Sequence, residues 1–160
     1  MLYPTFGLIT KTNNFNPPFG FSLNDFERFA RENPEDAAAI EFLLNAPTGV
    51  IAVAQIITGS YTNYGRISMY TGLQSVLGWP GHESQWRGGF EPQGTRLQDL
   101  EILYTTNDRE VAKGIINFYN IRYIVIGDLE RITYNVNEEK FYLYLTPIFQ
   151  QGNTVIYEVP

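Results

Sequence analysis

The sequence predicts one α/β domain: a mixed, partly parallel sheet with helices on its faces and a β-hairpin at its C-terminal end. Three observations predict it. Two apolar runs, at residues 50–57 and Ile121–Ile126, are almost unbroken, as strands covered on both faces are. Amphipathic stretches with helix-start signatures flank these runs. The segment from Ile148 to Val159, folded about Gly152-Asn153, reads as a hairpin.

Residues 1–33 read as an arm. Asn13, Asn14, Asn16, Pro17, Pro18 and Gly20 oppose regular structure, while Phe6, Phe15, Phe19 and Phe21 can anchor the segment on something apolar. A helix then starts near Pro34. Asn33 can cap it, Pro34 suits the first helical position, and Glu35 and Asp36 complement the positive end of the dipole. Ala37, Ile40, Leu43 and Leu44 form its apolar face, and Pro47 with Gly49 ends it. The run at 50–57 follows as a strand, and with Ile121–Ile126 it is expected at the centre of the sheet.

Residues 58–94 are a long, glycine-punctuated connection in which only 68–77 has a claim to helix, and connections of that length are commonly functional. Beyond it, Thr95 with Gln98 forms a capping-box pattern ahead of Leu97, Leu100, Leu103 and Tyr104. Asn107 with Glu110 repeats the pattern ahead of Val111, Ile115, Phe118 and Tyr119. Asn120 makes the turn into the second strand, and residues 141–145 fit helix or strand equally. The expected division is therefore an arm at 1–33 and a soluble α/β domain at 34–160.

Composition narrows the function. The 160 residues carry 44% hydrophobic and 15% aromatic side chains, enough for an ordinary globular core. A net charge of −6 with scattered Lys and Arg speaks against nucleic acid, whose phosphates need a basic stripe. The absence of cysteine removes disulfides, thiolate catalysis and cysteine-based metal sites. No apolar run approaches the roughly 20 residues of a membrane span, and residues 1–10 lack the pattern of a signal peptide.

The functional signal is concentrated in one window. Both tryptophans and the single histidine lie in Trp79-Pro80-Gly81-His82-Glu83-Ser84-Gln85-Trp86-Arg87, a loop or irregular short helix by its turn formers. His82-Glu83 resembles the start of a zincin helix, but Trp86 stands where the second histidine belongs, so that reading fails. Glu83 with Glu91 leaves a carboxylate site for a hard cation as an alternative. Arg66 and Arg87, each beside a glycine, suit phosphate or carboxylate, and indole faces suit sugar rings or cations. The competing structural reading is that His82, Glu83 and Arg87 only hold the loop in place. The segment 59–65 follows a strand as a phosphate loop does, but lacks the glycine fingerprint, so nucleotide binding is rejected. One histidine leaves no Ser-His-Asp triad.

These residues also carry a resemblance. Tyr64-Gly65-Arg66-Ile67-Ser68, Thr71-Gly72-Leu73, Leu77-Gly78-Trp79, His82-Glu83 and Gln85-Trp86-Arg87-Gly88 resemble the YYY membrane-protein family. The likeness continues through Leu103-Tyr104, Asp108, Tyr119, Ile121, Tyr123-Ile124-Val125, Gly127, Glu130-Arg131 and Tyr134 to the stretch 152–157. Upstream it takes in Tyr3-Pro4 and Leu23-Asn24. That family comprises long multi-spanning proteins similar to GT-C-type glycosyltransferases, whose membrane part usually carries the catalytic acids while the soluble domain helps to recognise substrate. The resemblance implies a soluble C-terminal domain on the extracytoplasmic side of the cell membrane, joined to a transmembrane region of the same polypeptide. It implies a non-catalytic role beside an enzyme using polyprenyl-linked sugars, with Arg66, Trp79, His82, Glu83, Gln85, Trp86 and Arg87 contacting substrate or the membrane domain. No catalytic residue, metal or cofactor is assigned to the chain. The alternative is a binding or assembly module without any glycosyl-transfer role, and an independent hydrolase is disfavoured by the missing triad and metal set.

Overall fold

In the computed structural model, residues 2–16, 20 and 24–160 are described, side chains excepted at 2–5 and 11. In chain order the elements are α1 (Leu2–Lys11), α2 (Asp25–Glu32), α3 (Pro34–Leu44), β1 (Val50–Ala52), α4 (Arg66–Thr71), α5 (Pro80–Arg87) and α6 (Arg96–Thr105). They continue as α7 (Arg109–Tyr119), β2 (Ile121–Ile126), α8 (Asp128–Thr133), α9 (Glu138–Tyr144), β3 (Thr146–Gln151) and β4 (Thr154–Glu158). Single 3-10 turns precede α4 (Asn63–Gly65) and α6 (Glu91–Gln93).

The four strands lie in the order β1-β2-β4-β3, with β1 parallel to β2 and the hairpin β3–β4 antiparallel. The α/β class, the mixed sheet and the C-terminal hairpin are therefore as the sequence predicts. The period of two sorts β2 between two layers. Tyr123 and Val125 join Ile40, Leu43, Ile51 and Ile67 beneath α3 and α4, while Ile124 and Ile126 join Leu100, Leu103, Ala112 and Phe141 beneath α6, α7 and α9.

The expected first strand is corrected twice. It ends at Ala52 rather than at residue 57, and it lies at the sheet edge, leaving β2 and β4 in the centre. Val53, Ala54 and Gln55 are buried without being strand. An apolar run reports coverage of both faces, and here helices supply that coverage. The outer edge of β1 is met by a single bridge, with Ile51 N–H donating to the Gln74 carbonyl and Val76 N–H to that of Ile51.

The segment read as irregular also forms helix. α1 and α2 lie within it, and the Asn24 side chain accepts from Phe26 N–H to start α2. Phe29 of α2 is buried in the α3 layer, whereas Phe6 and Phe15 are exposed; Phe19 and Phe21 lie outside the described residues. Helix starts shift slightly from expectation. Asp108, not Asn107, caps α7 by accepting from Glu110 and Val111 N–H. Asn33 precedes α3 without a side-chain cap, and Thr95 donates to Asp99 instead of closing a capping box. Within the long connection α4 forms earlier than the expected 68–77, ended by Gly72 in the left-handed region, and α5 forms as a second helix. Residues 141–145 resolve mainly as helix, and α8 has no counterpart in the expectation.

Candidate functional site

The window 79–87 becomes a helix. Pro80 occupies the first position of α5, Glu83 sits in its first turn, Arg87 in its last, and Gly88 ends it at φ 77°. A helical repeat stacks residues four apart, so two pairs form. Trp86 Nε1 donates to His82 Nε2 at 2.9 Å, which places the imidazole proton on Nδ1. Arg87 Nε lies 3.2 Å from Glu83 Oε2. The other Glu83 oxygen accepts the Gly78 N–H at 2.7 Å, tying the helix to the turn before it.

The aromatic rings continue beyond the helix. Tyr61 lies 5.2 Å from Trp79 and 5.4 Å from His82 between ring centroids, and His82 lies 6.0 Å from Trp86. Trp79 rests on Gly65, where an added Cβ would meet the indole nitrogen at 2.6 Å, so this position admits no side chain. The indole N–H is buried there with no acceptor among the described residues. Tyr61 holds a left-handed backbone, φ 62°, which is costly for a tyrosine. Trp86 is 80% exposed and Tyr61 69%, so this aromatic surface faces outward from a floor that packing fixes.

Of the seven expected residues, Trp79, His82 and Trp86 come together, Glu83 and Arg87 pair beside them, and Gln85 is exposed on the same helix. Arg66 stands apart. It is 1% exposed, and its guanidinium is held by Asp36 Oδ2 at 2.5 Å and Glu130 Oε2 at 2.9 Å. Its link to the aromatic surface runs through the adjacent Gly65.

This buried ion triad explains where β1 stops. Glu130, fully buried in α8, accepts Ala54 N–H at 3.0 Å and Gly127 N–H at 2.9 Å in addition to Arg66. The Tyr134 hydroxyl accepts Gln55 N–H and donates to the Gln55 carbonyl, and the Tyr104 hydroxyl lies between the Ala52 and Val125 carbonyls. Side chains thus satisfy the backbone groups that a longer strand would have paired. Burial pushes the Glu130 carboxyl up, and the Arg66 charge with the two backbone donors outweighs it, leaving the group below its ordinary range. Burial opposes the Arg66 charge too, and Glu130 and Asp36 more than offset it. Burial also raises the hydroxyls, Tyr134 to about 12 and Tyr104 well above its usual value.

Sequence reasoning did not single out Glu130 or Tyr134 as functional residues, although both stand among the residues that carry the family resemblance. Glu83 and Glu91 gain no third partner: no group of three or more His, Asp or Glu side chains poised for a metal occurs among the described residues. No helix among them is long and apolar enough to cross a membrane.

Neither a family model nor a curated protein matches the chain. A solved fold does. The C-terminal globular domain of oligosaccharyltransferase from Archaeoglobus fulgidus is similar over 77% of this chain and 95% of that one, with TM-score 0.50 and 12% identity. At that identity the likeness concerns the fold.

Proposed function

We propose that the chain is the non-catalytic, extracytoplasmic domain of a membrane glycosyltransferase that uses polyprenyl-linked sugars. Its partner is the transmembrane region of the same polypeptide, approached through residues 1–33, with 34–160 as the soluble domain. Residues 78–89 then recognise the substrate or dock on the membrane region. One observation carries this reading: an aromatic surface of Tyr61, Trp79, His82 and Trp86 is left open on a fold similar to an oligosaccharyltransferase domain. The resemblance to the YYY family, carried in part by the same residues, supports it too. Flat aromatic faces suit the apolar face of a sugar ring, and the Arg87 fork suits a phosphate. Gln85 adds an exposed amide to the same helix. Arg66 acts as a positioning residue, anchoring the turn that carries Gly65 under Trp79.

The test is sugar transfer from a lipid-linked donor by the full-length protein. Trp86→Ala and Tyr61→Ala should each lower transfer by at least about tenfold, while the melting temperature of the isolated domain moves by less than about 2 °C, as exposed positions allow. Full transfer by both variants overturns the recognition role of this surface, and no transfer by the unaltered full-length protein leaves a binding or assembly module with no glycosyl-transfer role.

A further inference from the structure

A second site, independent of the aromatic surface, lies between α7 and α9. There a cavity of about 260 Å³ has an apolar floor of Ala112, Ile116, Phe141 and Leu145. Three cations line it, Arg109, Lys113 and Lys140, and no carboxylate side chain does. That is unusual placement in a chain with 11 basic and 17 acidic residues.

The cations are not consumed by the fold. None of the three has a salt bridge among the described residues. Lys140 is only 7% exposed, and its ammonium has one hydrogen bond, to the Thr106 carbonyl at 2.8 Å. Two of its N–H donors are left over. The ammonium also lies 4.7 Å from the centroid of the Phe141 ring on the cavity floor. Arg109 stacks on Tyr144 with its guanidinium carbon 4.0 Å from the ring centroid, so its face is covered while the edge that carries its N–H fork is not used by a carboxylate. Burial drives the Lys140 ammonium down to about 8, a cost that a bound anion would relieve.

We propose that this cavity binds a small amphipathic anion, a carboxylate or phosphate head on an apolar body. The head meets Lys140, with Arg109 and Lys113 at the mouth, and the body lies on Phe141 and Ile116. Charge and apolar surface are both required. Phosphate alone finds no partner for the floor, and a neutral alkyl chain leaves the ammonium unpaired.

The experiment is an NMR titration of the 160-residue chain with hexanoate and hexyl phosphate, with hexanol and inorganic phosphate as controls. Both amphipathic anions should saturate with dissociation constants of about 1 mM or tighter, at least roughly tenfold tighter than either control, and shift the amides of Ala112, Ile116 and Phe141. Arg109→Glu and Lys113→Glu, both on exposed side chains, should leave the spectrum folded and weaken binding about tenfold or more. Equal binding of hexanol, unchanged affinity in both variants, or no saturable shift overturns the proposal. Phosphatidate and phosphatidylcholine vesicles separate the sources of such a head. Sedimentation with phosphatidate that hexanoate reverses assigns a lipid-borne anion, and hexanoate binding without sedimentation assigns a soluble one. Sedimentation that hexanoate does not reverse and Arg109→Glu does not weaken counts against the cavity.

Discussion

Replacing Glu130 by glutamine tests the account of the buried triad most directly. The carboxylate accepts three hydrogen bonds within 3.0 Å, from Ala54 N, Gly127 N and Arg66 Nη2. An amide of the same size offers one oxygen, so its NH₂ group must face at least one of these donors. Removing one partner of a buried ion pair costs about 3–5 kcal/mol because the other charge stays buried. Arg66 retains Asp36, whose side chain is 15% exposed, so the lower part of that range applies, about 3–4 kcal/mol. For a chain of this size that corresponds to a fall in melting temperature of roughly 6–16 °C, read by calorimetry at pH 7. The acid dependence provides a second readout. The folded pKa of Glu130 lies below its ordinary 4.5, so the stability it contributes is fully present above pH 4.5 and is lost as pH falls through the folded value. The gap between wild type and Glu130→Gln should therefore be widest near neutrality and narrow below pH 4.5. A melting temperature within about 2 °C of wild type at pH 7 would refute the argument that this carboxylate terminates β1.

Gly65→Ala should displace the Trp79 indole from its floor, seen as a shift in tryptophan fluorescence, with loss of transfer in the full-length protein; an unchanged spectrum argues against the contact. Glu83→Ala and Arg87→Ala should part company. Glu83 holds the Gly78 N–H, so its loss should cost about 1–2 kcal/mol by chemical denaturation, while the 58% exposed Arg87 side chain should cost less than about 1 kcal/mol. Val53→Ala and Val125→Ala should each cost about 2–3 kcal/mol in the same measurement, since both side chains are buried in one layer although only Val125 is in a strand. Hydrogen exchange should be fast in α1, whose Phe6 and Leu8 are exposed, and slow in α2 around Phe29; uniform protection of both would overturn the assignment of α1 to an approach segment.

Local patterns determined much of this protein. The unbroken apolar run of β2, the Gly152-Asn153 turn and the buried Ala37, Ile40 and Leu43 of α3 are properties of neighbouring residues, so each was legible without a structure, whereas Leu44 of the expected α3 face is exposed. The window 79–87 was legible as a cluster of chemically versatile side chains, and the four-residue spacing of His82 with Trp86 and Glu83 with Arg87 became two contacts once the helix formed. Turn-forming composition left loop and short helix both open there, because Pro80 and Gly88 suit the two ends of a helix as well as they suit a loop. Tertiary structure decided the rest. The run at 50–57 is equally apolar on either side of Ala52, and what stops the strand is a carboxylate 76 residues away from Ala54. Arg66 beside a glycine looks available for a ligand until Glu130, 64 residues further along the chain, takes its guanidinium into the core. Gly127 and Glu130, three residues apart behind a strand, carry the pattern of an ordinary helix cap. A buried ion gains its worth from the dielectric and donors that distant segments bring to it, and no spacing along the chain records which segments those are.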